Sequence, residues 1–156
     1  MGFFKLLVSK VVLLWIRVSN SGVEKITDYR LKRKIIISNQ LAFTVGLLPI
    51  LTSLYLIIFL EGHMFYAPFL VGLMYLFPII LNRYAFYNLS RIYLTVLPTI
   101  NLMIVSGFLN DRYGISMKIS YISIIAAPIV LFDLGEKVKL IFGVLWVVFM
   151  YYITDV

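Results

Sequence analysis

Long apolar runs separated by short polar segments dominate the chain. Five windows contain no charged residue: 41–60, 64–82, 92–110, 119–132 and 140–154. A helix that crosses the hydrocarbon core of a bilayer needs about 20 mostly apolar residues, and the first three windows have that length. Lys118 and Lys139 lie beside the two shorter windows, where their ammonium groups can reach the interface. The pattern predicts an all-α fold, a polytopic bundle with transmembrane spans at about 35–60, 64–82, 91–110, 115–132 and 138–154.

The segment before the first span has a different, helical periodicity. Residues 3–18 place apolar side chains at i, i+3, i+4 and i+7, while Lys5, Lys10 and Arg17 fall on the other side. The apolar stripe consists of Phe4, Leu7, Val8, Val11, Leu14, Trp15 and Val18. A cationic amphipathic helix of this kind lies in the plane of the membrane interface. The alternative is that it packs on the spans or on a partner subunit. Residues 1–34 are therefore predicted to form an amphipathic helix and basic linker, and 35–156 the five-span domain.

The distribution of charge predicts the orientation in the membrane. The chain carries a net charge of +7, yet only 13% of its residues are charged. With five spans and a cytoplasmic N terminus, twelve of its fourteen lysines and arginines fall on the inner side, as the positive-inside rule expects. The predicted inner-face anchors, which contact the lipid bilayer, are Arg30, Lys32, Arg33, Lys34, Arg83 and Arg91. Nucleic acid is excluded as a partner because the base-stacking and loop motifs of nucleic-acid-binding folds are absent.

Prolines occur in four of the five predicted spans, at Pro49, Pro78, Pro98 and Pro128. Each removes a backbone donor and favours a kink, which membrane helices accept when neighbouring groups satisfy the freed carbonyl. Two interpretations remain open. The prolines are either hinges for a conformational signal or ordinary kinks in helix packing.

The sequence lacks the residues that membrane enzymes and metal sites require. It has one histidine and no cysteine, and no acidic residue falls inside an apolar window. His63 with Glu61 supplies two ligands, too few for a closed metal site. Ser106 has no base near it in the sequence that could activate it. The chain is predicted to be non-catalytic, with neither a metal nor a cofactor.

Polar residues near and within the spans are candidates for sensing. Asn101 lies about 15 Å along its helix from Arg91, near the bilayer centre, where it either joins helices or contacts a ligand. A candidate outer-face group comprises Glu61, His63, Tyr66, Asn110, Asp111, Arg112 and Tyr113. These residues form either two solvated loops or the mouth of a site that binds a ligand or senses pH through His63. At the inner end, Asn39 is expected to cap a helix or bond between helices. Glu136 is expected on a solvated rim with Lys139.

Four stretches carry a family resemblance: "YRLKRKIIISNQLAF", "LNRYAFYNLSRIYL", "LPTIN" and "APIVLFDLGEK". Over residues 28–154 the chain resembles the multi-span membrane input domain that precedes the output module of bacterial histidine kinases and adenylate or guanylate cyclases. Members of that family typically read Leu-Asn-Arg-x-Gly-Phe-Tyr at the inner turn, and here Ala85 stands in the place of the glycine.

The resemblance implies a non-catalytic sensor domain in the bacterial inner membrane, which relays a stimulus to a cytoplasmic signalling module. It also implies a homodimer or larger membrane assembly, and a sixth span and an output domain that residues 1–156 do not contain. The alternative is a small integral subunit or scaffold of a membrane complex, docked through residues 3–18. A transporter is disfavoured by the odd number of spans and the lack of buried charge or inverted halves.

Overall fold

The protein is helical throughout the part of the chain that can be described. A computed structural model describes residues 2–24, 26–59, 66–109 and 120–153, and no strand occurs in these ranges. The helices are α1 (Gly2–Ser19), α2 (Tyr29–Phe59), α3 (Tyr66–Arg83), α4 (Tyr87–Leu109), α5 (Ser120–Leu131, with a turn at Ile125) and α6 (Lys137–Ile153), the last preceded by a 3₁₀ turn at Leu134–Glu136. The all-α prediction is confirmed for these residues.

Two of the described helices, α2 and α3, are long and apolar enough to cross a membrane, judged by length and composition. Helix α4 has 23 residues but carries Arg91 and Asn101 among its apolar positions. Helix α6 has 17 residues, about 25 Å at 1.5 Å per residue, and α5 is shorter still. Over their described residues alone, both are shorter than a hydrocarbon core of about 30 Å. Of the five expected spans, the described helices therefore support two, α2 and α3.

The chain forms two compact units, Met1–Ser90 and Arg91–Val156, and the division falls in the first turn of α4. Helix α1 belongs with α2 and α3 in the N-terminal unit, and the division into residues 1–34 and 35–156 stays a prediction. The rings of Trp15 and Phe43 meet edge-to-face with their centroids 6.0 Å apart, which fixes the end of α1 against α2. The remainder of the N-terminal stripe, from Phe4 to Leu14, is exposed.

Small side chains let α2 and α3 approach closely. A Cβ added to Gly72 would lie 2.8 Å from the carbonyl oxygen of Gly46 and 2.5 Å from Cγ1 of Ile50. Ala42 and Ser53 are buried on the same face of α2. Close backbone approach through small residues is typical of helix pairs in membranes, where lipid removes the hydrophobic drive for association.

The exposed surface of this helix pair is strongly apolar. Leu48 and Ile58 on α2 and Leu70 on α3 each expose more than half of their area. Buried positions instead include Ser38, Asn39 and other polar residues. This distribution is opposite to that of a water-soluble helical protein, whose large apolar side chains are buried.

The C-terminal unit has a small apolar core. Tyr121 on α5 and Val147 and Met150 on α6 are buried together, with Leu102 and Trp146 packed against them. Gly143 faces α5 closely, because a Cβ there would lie 2.7 Å from Cβ of Pro128.

The turn between α3 and α4 ends α3 in a left-handed cap. The Phe86 N–H donates to the Leu81 carbonyl at 2.9 Å, and the Ala85 N–H donates to the Asn82 carbonyl at 3.1 Å. This pair of bonds is the Schellman motif, which requires a positive φ at the residue after the helix, and Ala85 has φ 65°. Glycine is favoured at this position for that reason, and alanine occupies it here under strain.

Candidate functional site

Four buried polar residues of the N-terminal unit form a connected group, which we call the amide cluster: Ser38, Asn39, Asn82 and Ser90. Each has a fractional exposure of 0%. The Asn82 amide donates to Asn39 Oδ1 at 2.8 Å and to Ser38 Oγ at 3.3 Å. The Ser38 and Ser90 hydroxyls lie 3.2 Å apart, and the Ser90 hydroxyl donates to the Pro78 carbonyl at 3.1 Å. The cluster thus joins α2, α3 and the first turn of α4.

The amide cluster also holds the end of α1. The Asn39 amide donates to the Ser19 carbonyl at 3.1 Å and to the Ser21 carbonyl at 2.9 Å. These two carbonyls belong to the last turn of α1 and the residues after it, where a helix leaves acceptors without intrahelical partners. Gln40 adds a bond from its amide to the Ser19 hydroxyl at 3.3 Å. One asparagine therefore connects α1 to the α2–α3 pair.

Gly22 brings the segment after α1 against the end of α3. Its φ is 80°, and a Cβ at this position would overlap the Asn82 carbonyl oxygen. The Tyr87 hydroxyl donates to the Gly22 carbonyl at 3.1 Å. Both the positive φ and the close approach require glycine here.

A second polar group lies in the C-terminal unit around the buried Arg91, and we call it the arginine triad: Arg91, Glu136 and Lys139. Arg91 makes a bidentate ion pair with Glu136, with N–O distances of 2.7 and 3.1 Å. Lys139 Nζ lies 2.8 Å from Glu136 Oε1. Arg91 also donates to the Leu131 carbonyl at 3.2 Å, and its guanidinium lies 5.3 Å from the Phe132 ring centroid.

The electrostatics of the triad favour a fixed arrangement. The Arg91 side chain is 2% exposed and that of Glu136 24%. Burial of the Arg91 charge is costly, and a bidentate geometry with further hydrogen bonds offsets that cost. The Glu136 carboxylate binds two cations, Arg91 on α4 and Lys139 on α6, and thereby links these two helices.

Thr99 is the centre of a third set of contacts, also in the C-terminal unit. The Trp146 indole donates to the Thr99 hydroxyl at 2.8 Å, and the Tyr121 hydroxyl donates to the Thr99 carbonyl at 3.3 Å. The buried Tyr121 and the half-buried Trp146 thereby satisfy their polar atoms within the helices.

The predicted inner-face anchors divide into exposed and buried residues. Arg30, Lys32, Arg33 and Arg83 are exposed, as expected for side chains that reach headgroups. Lys34 is 9% exposed, and Arg91 is 1% exposed. At Arg91 the structure differs from the expected headgroup contact, because Glu136 neutralises the guanidinium inside the protein. Glu136, which was expected on a solvated rim with Lys139, is half-buried and contacts both Lys139 and Arg91.

Most of the predicted outer-face group lies outside the described residues: Glu61, His63, Asn110, Asp111, Arg112 and Tyr113. Tyr66 is described, at the start of α3, and is exposed. Asn101 is half-buried on α4, and its role between helices stays a prediction. Pro49, Pro78, Pro98 and Pro128 all lie inside helices, and Pro78 and Pro128 are buried. Their use as hinges also stays a prediction.

Sequence reasoning identified several members of these groups without their contacts. The sequence predicts that Asn39 caps a helix or bonds between helices, and that Arg91 is an interfacial anchor. Asn39 lies 43 residues before its partner Asn82, and Arg91 lies 45 residues before its partner Glu136. No local spacing in the sequence therefore connects either pair. Within the described ranges, no group of three or more histidine, cysteine, aspartate or glutamate side chains could hold a metal ion.

Comparison of the chain with family models, with curated proteins and with solved structures gives no match.

Proposed function

We propose that the chain is an integral membrane input module, which passes a rearrangement of its spans to its N-terminal helix and to a cytoplasmic signalling partner. The observation that carries this proposal is the amide cluster, in which Asn39 bonds both to Asn82 on α3 and to the carbonyls at the end of α1. A shift of α3 relative to α2 changes the position of Asn39, and with it the end of α1.

Membrane insertion is part of the proposal and has its own support. Helices α2 and α3 have the length and composition of spans, and their exposed faces are apolar while their shared face holds small and polar side chains. In the proposed five-span arrangement, α4, α5 and α6 form the third, fourth and fifth spans. The N terminus and the turn between α3 and α4 face the cytoplasm of a bacterial cell.

The resemblance to bacterial input domains suggests how the module is used. A signal-input module changes output by shifting the populations of two arrangements that a stimulus binds with different affinity. The proposal places the stimulus at the outer face or in the lipid. It assigns no catalytic role to this chain and expects a homodimer or larger assembly.

The coupling can be measured with spin labels, because the chain contains no cysteine of its own. Spin labels are attached at Lys10→Cys on α1 and at Tyr84→Cys in the turn after α3. Double electron–electron resonance in lipid nanodiscs then measures the distance between the two labels. We expect a narrow distribution in the parent chain and a broadened one after Asn39→Ala. The control Thr52→Ala, at an exposed residue whose hydroxyl bonds within α2, should leave the distribution unchanged. An unchanged distribution after Asn39→Ala would contradict the relay.

A subunit or scaffold role is the second candidate, and one observation favours it. Leu6, Leu13 and other apolar residues of α1 are exposed on more than one side of the helix, which exceeds the single stripe that a purely interfacial helix needs. Deletion of residues 2–18 distinguishes the two functions. It should release a stoichiometric partner from a scaffold, whereas an input module should keep its partner and lose only the regulation of its output.

A further inference from the structure

A cleft in the N-terminal unit lies where α1 and α3 both end. It is open to the surface and has a volume of about 970 Å³, within the size range of small-molecule sites. Arg17, Glu24 and Arg83 line it, together with the apolar side chains Leu13 and Ile16 of α1. We call it the headgroup cleft. It is separate from the amide cluster, whose four residues do not line it.

The charges around the headgroup cleft are of both signs. Arg17 and Arg83 each lie in the last turn of their helix. A helix C terminus carries a partial negative charge of about half a unit, which each arginine offsets. Glu24 adds a full negative charge. The cleft therefore presents two guanidinium groups beside a carboxylate and two helix ends, an arrangement complementary to a ligand that carries both an anion and a cation.

We propose that the headgroup cleft binds a zwitterionic phospholipid with a primary ammonium group, the phosphoethanolamine headgroup. Arg17 and Arg83 bind its phosphate, because guanidinium groups match the geometry of phosphate oxygens. Glu24 accepts hydrogen bonds from the ammonium. Leu13 and Ile16 contact the first carbons of the acyl chains.

The position in the fold agrees with this occupant. The residues of the cleft belong to the segment 13–24 and to the turn after α3, both on the predicted cytoplasmic side at the level of the headgroups. Tyr84 and Tyr87 also line it, and tyrosine is enriched at this level of the membrane. The inference rests on the proposed membrane location.

The test uses the full chain in vesicles that contain equal parts of phosphatidylethanolamine, phosphatidylcholine and phosphatidylglycerol with identical acyl chains. After mild detergent extraction, native mass spectrometry measures which lipid stays bound. We expect enrichment of phosphatidylethanolamine over both other lipids. The double variant R17Q/R83Q should retain about tenfold less of it, the loss expected for one charge-assisted hydrogen bond or more.

Single and matched variants separate the two halves of the site. E24Q, at an exposed residue, should abolish the preference for phosphatidylethanolamine over phosphatidylglycerol while binding to phosphate persists. The control R30Q/K32Q removes two exposed charges that do not line the cleft and should change nothing. R17K/R83K keeps both charges and should bind more strongly than R17Q/R83Q, which shows that loss of binding is not loss of folding.

Several results would overturn the proposal. Retained lipid with the composition of the vesicles excludes a site, and so does equal retention by the parent chain and R17Q/R83Q. Preference for phosphatidylglycerol excludes a zwitterionic occupant. Equal retention of phosphatidylcholine, whose quaternary ammonium donates no hydrogen bond, excludes the role of Glu24. Flotation of the same vesicles is measured first: a chain that does not float refutes the membrane location, whereas a floating chain without lipid preference refutes the headgroup cleft alone.

Discussion

At the scale of single residues, two positions in the described ranges have a positive φ, Ala85 and Gly22, and they differ in what imposes this conformation. In the turn after α3, Ala85 has a positive φ, at the position where the resemblance to bacterial input domains implies a glycine. The requirement at Gly22 is different, because it follows from contact with Asn82, sixty residues away in the chain. The resemblance implies the first requirement, whereas nothing in the sequence signals the second.

Ala85→Gly is expected to stabilise the protein. A left-handed alanine costs about 1–2 kcal/mol, of which glycine recovers a part after its larger loss of chain entropy on folding. We expect a gain of about 0.5–1 kcal/mol in the free energy of unfolding, measured by denaturation in mixed micelles. Ala126→Gly, at an exposed helical position in α5, is the control and should lower stability by about the same amount. A loss of stability in Ala85→Gly would contradict the Schellman assignment.

At the scale of helices, the apolar windows predicted the elements because polar or charged residues mark both ends of each window. The ranges of α2, α3 and α6 agree with the predicted spans to within a few residues, apart from the start of α2. That helix begins at Tyr29, so it includes the basic segment from Arg30 to Lys34 that sequence reasoning assigned to a linker. Contacts between helices could not be predicted from the sequence, because Asn39 contacts Asn82 and Arg91 contacts Glu136 only once the helices pack against each other.

The close approach of α2 and α3 predicts a specific sensitivity at Gly72. Gly72→Ala should cost about 1–3 kcal/mol of stability, because the new Cβ meets the Gly46 carbonyl oxygen and the Ile50 side chain. Gly135→Ala is the matched control: a Cβ there has no heavy atom within 4 Å, and its stability should change little. Equal effects of the two substitutions in micelle denaturation would contradict the α2–α3 packing.

The arginine triad predicts strong coupling between Arg91 and Glu136. Arg91→Met should cost about 3 kcal/mol, the low end of the range for a broken buried pair, because Glu136 keeps Lys139 and some contact with solvent. The double substitution R91M/E136L should recover most of that loss. Lys139→Met removes the more exposed cation and should cost less than about 1 kcal/mol. Additive losses in the double-substitution cycle would refute a coupled pair.

At the scale of the whole molecule, the central claim is that its exposed apolar surface faces lipid. The composition and the windows between charged residues indicated this environment, since they depend only on the order of apolar and polar residues. The described helices support it at α2 and α3 and leave the five-span arrangement a proposal. The stimulus, which depends on a binding partner, has no comparable signature in the sequence.

Cysteine labelling in membrane vesicles tests the central claim most directly, because the chain has no native cysteine. Leu48 is 62% exposed and Tyr84 is 70% exposed, so both would react with a membrane-impermeant maleimide if both surfaces faced water. We predict that Tyr84→Cys is labelled from the cytoplasmic side alone and Leu48→Cys from neither side, because a thiol in lipid cannot form the reactive thiolate. Labelling of Leu48→Cys to the same extent as Tyr84→Cys would contradict the account.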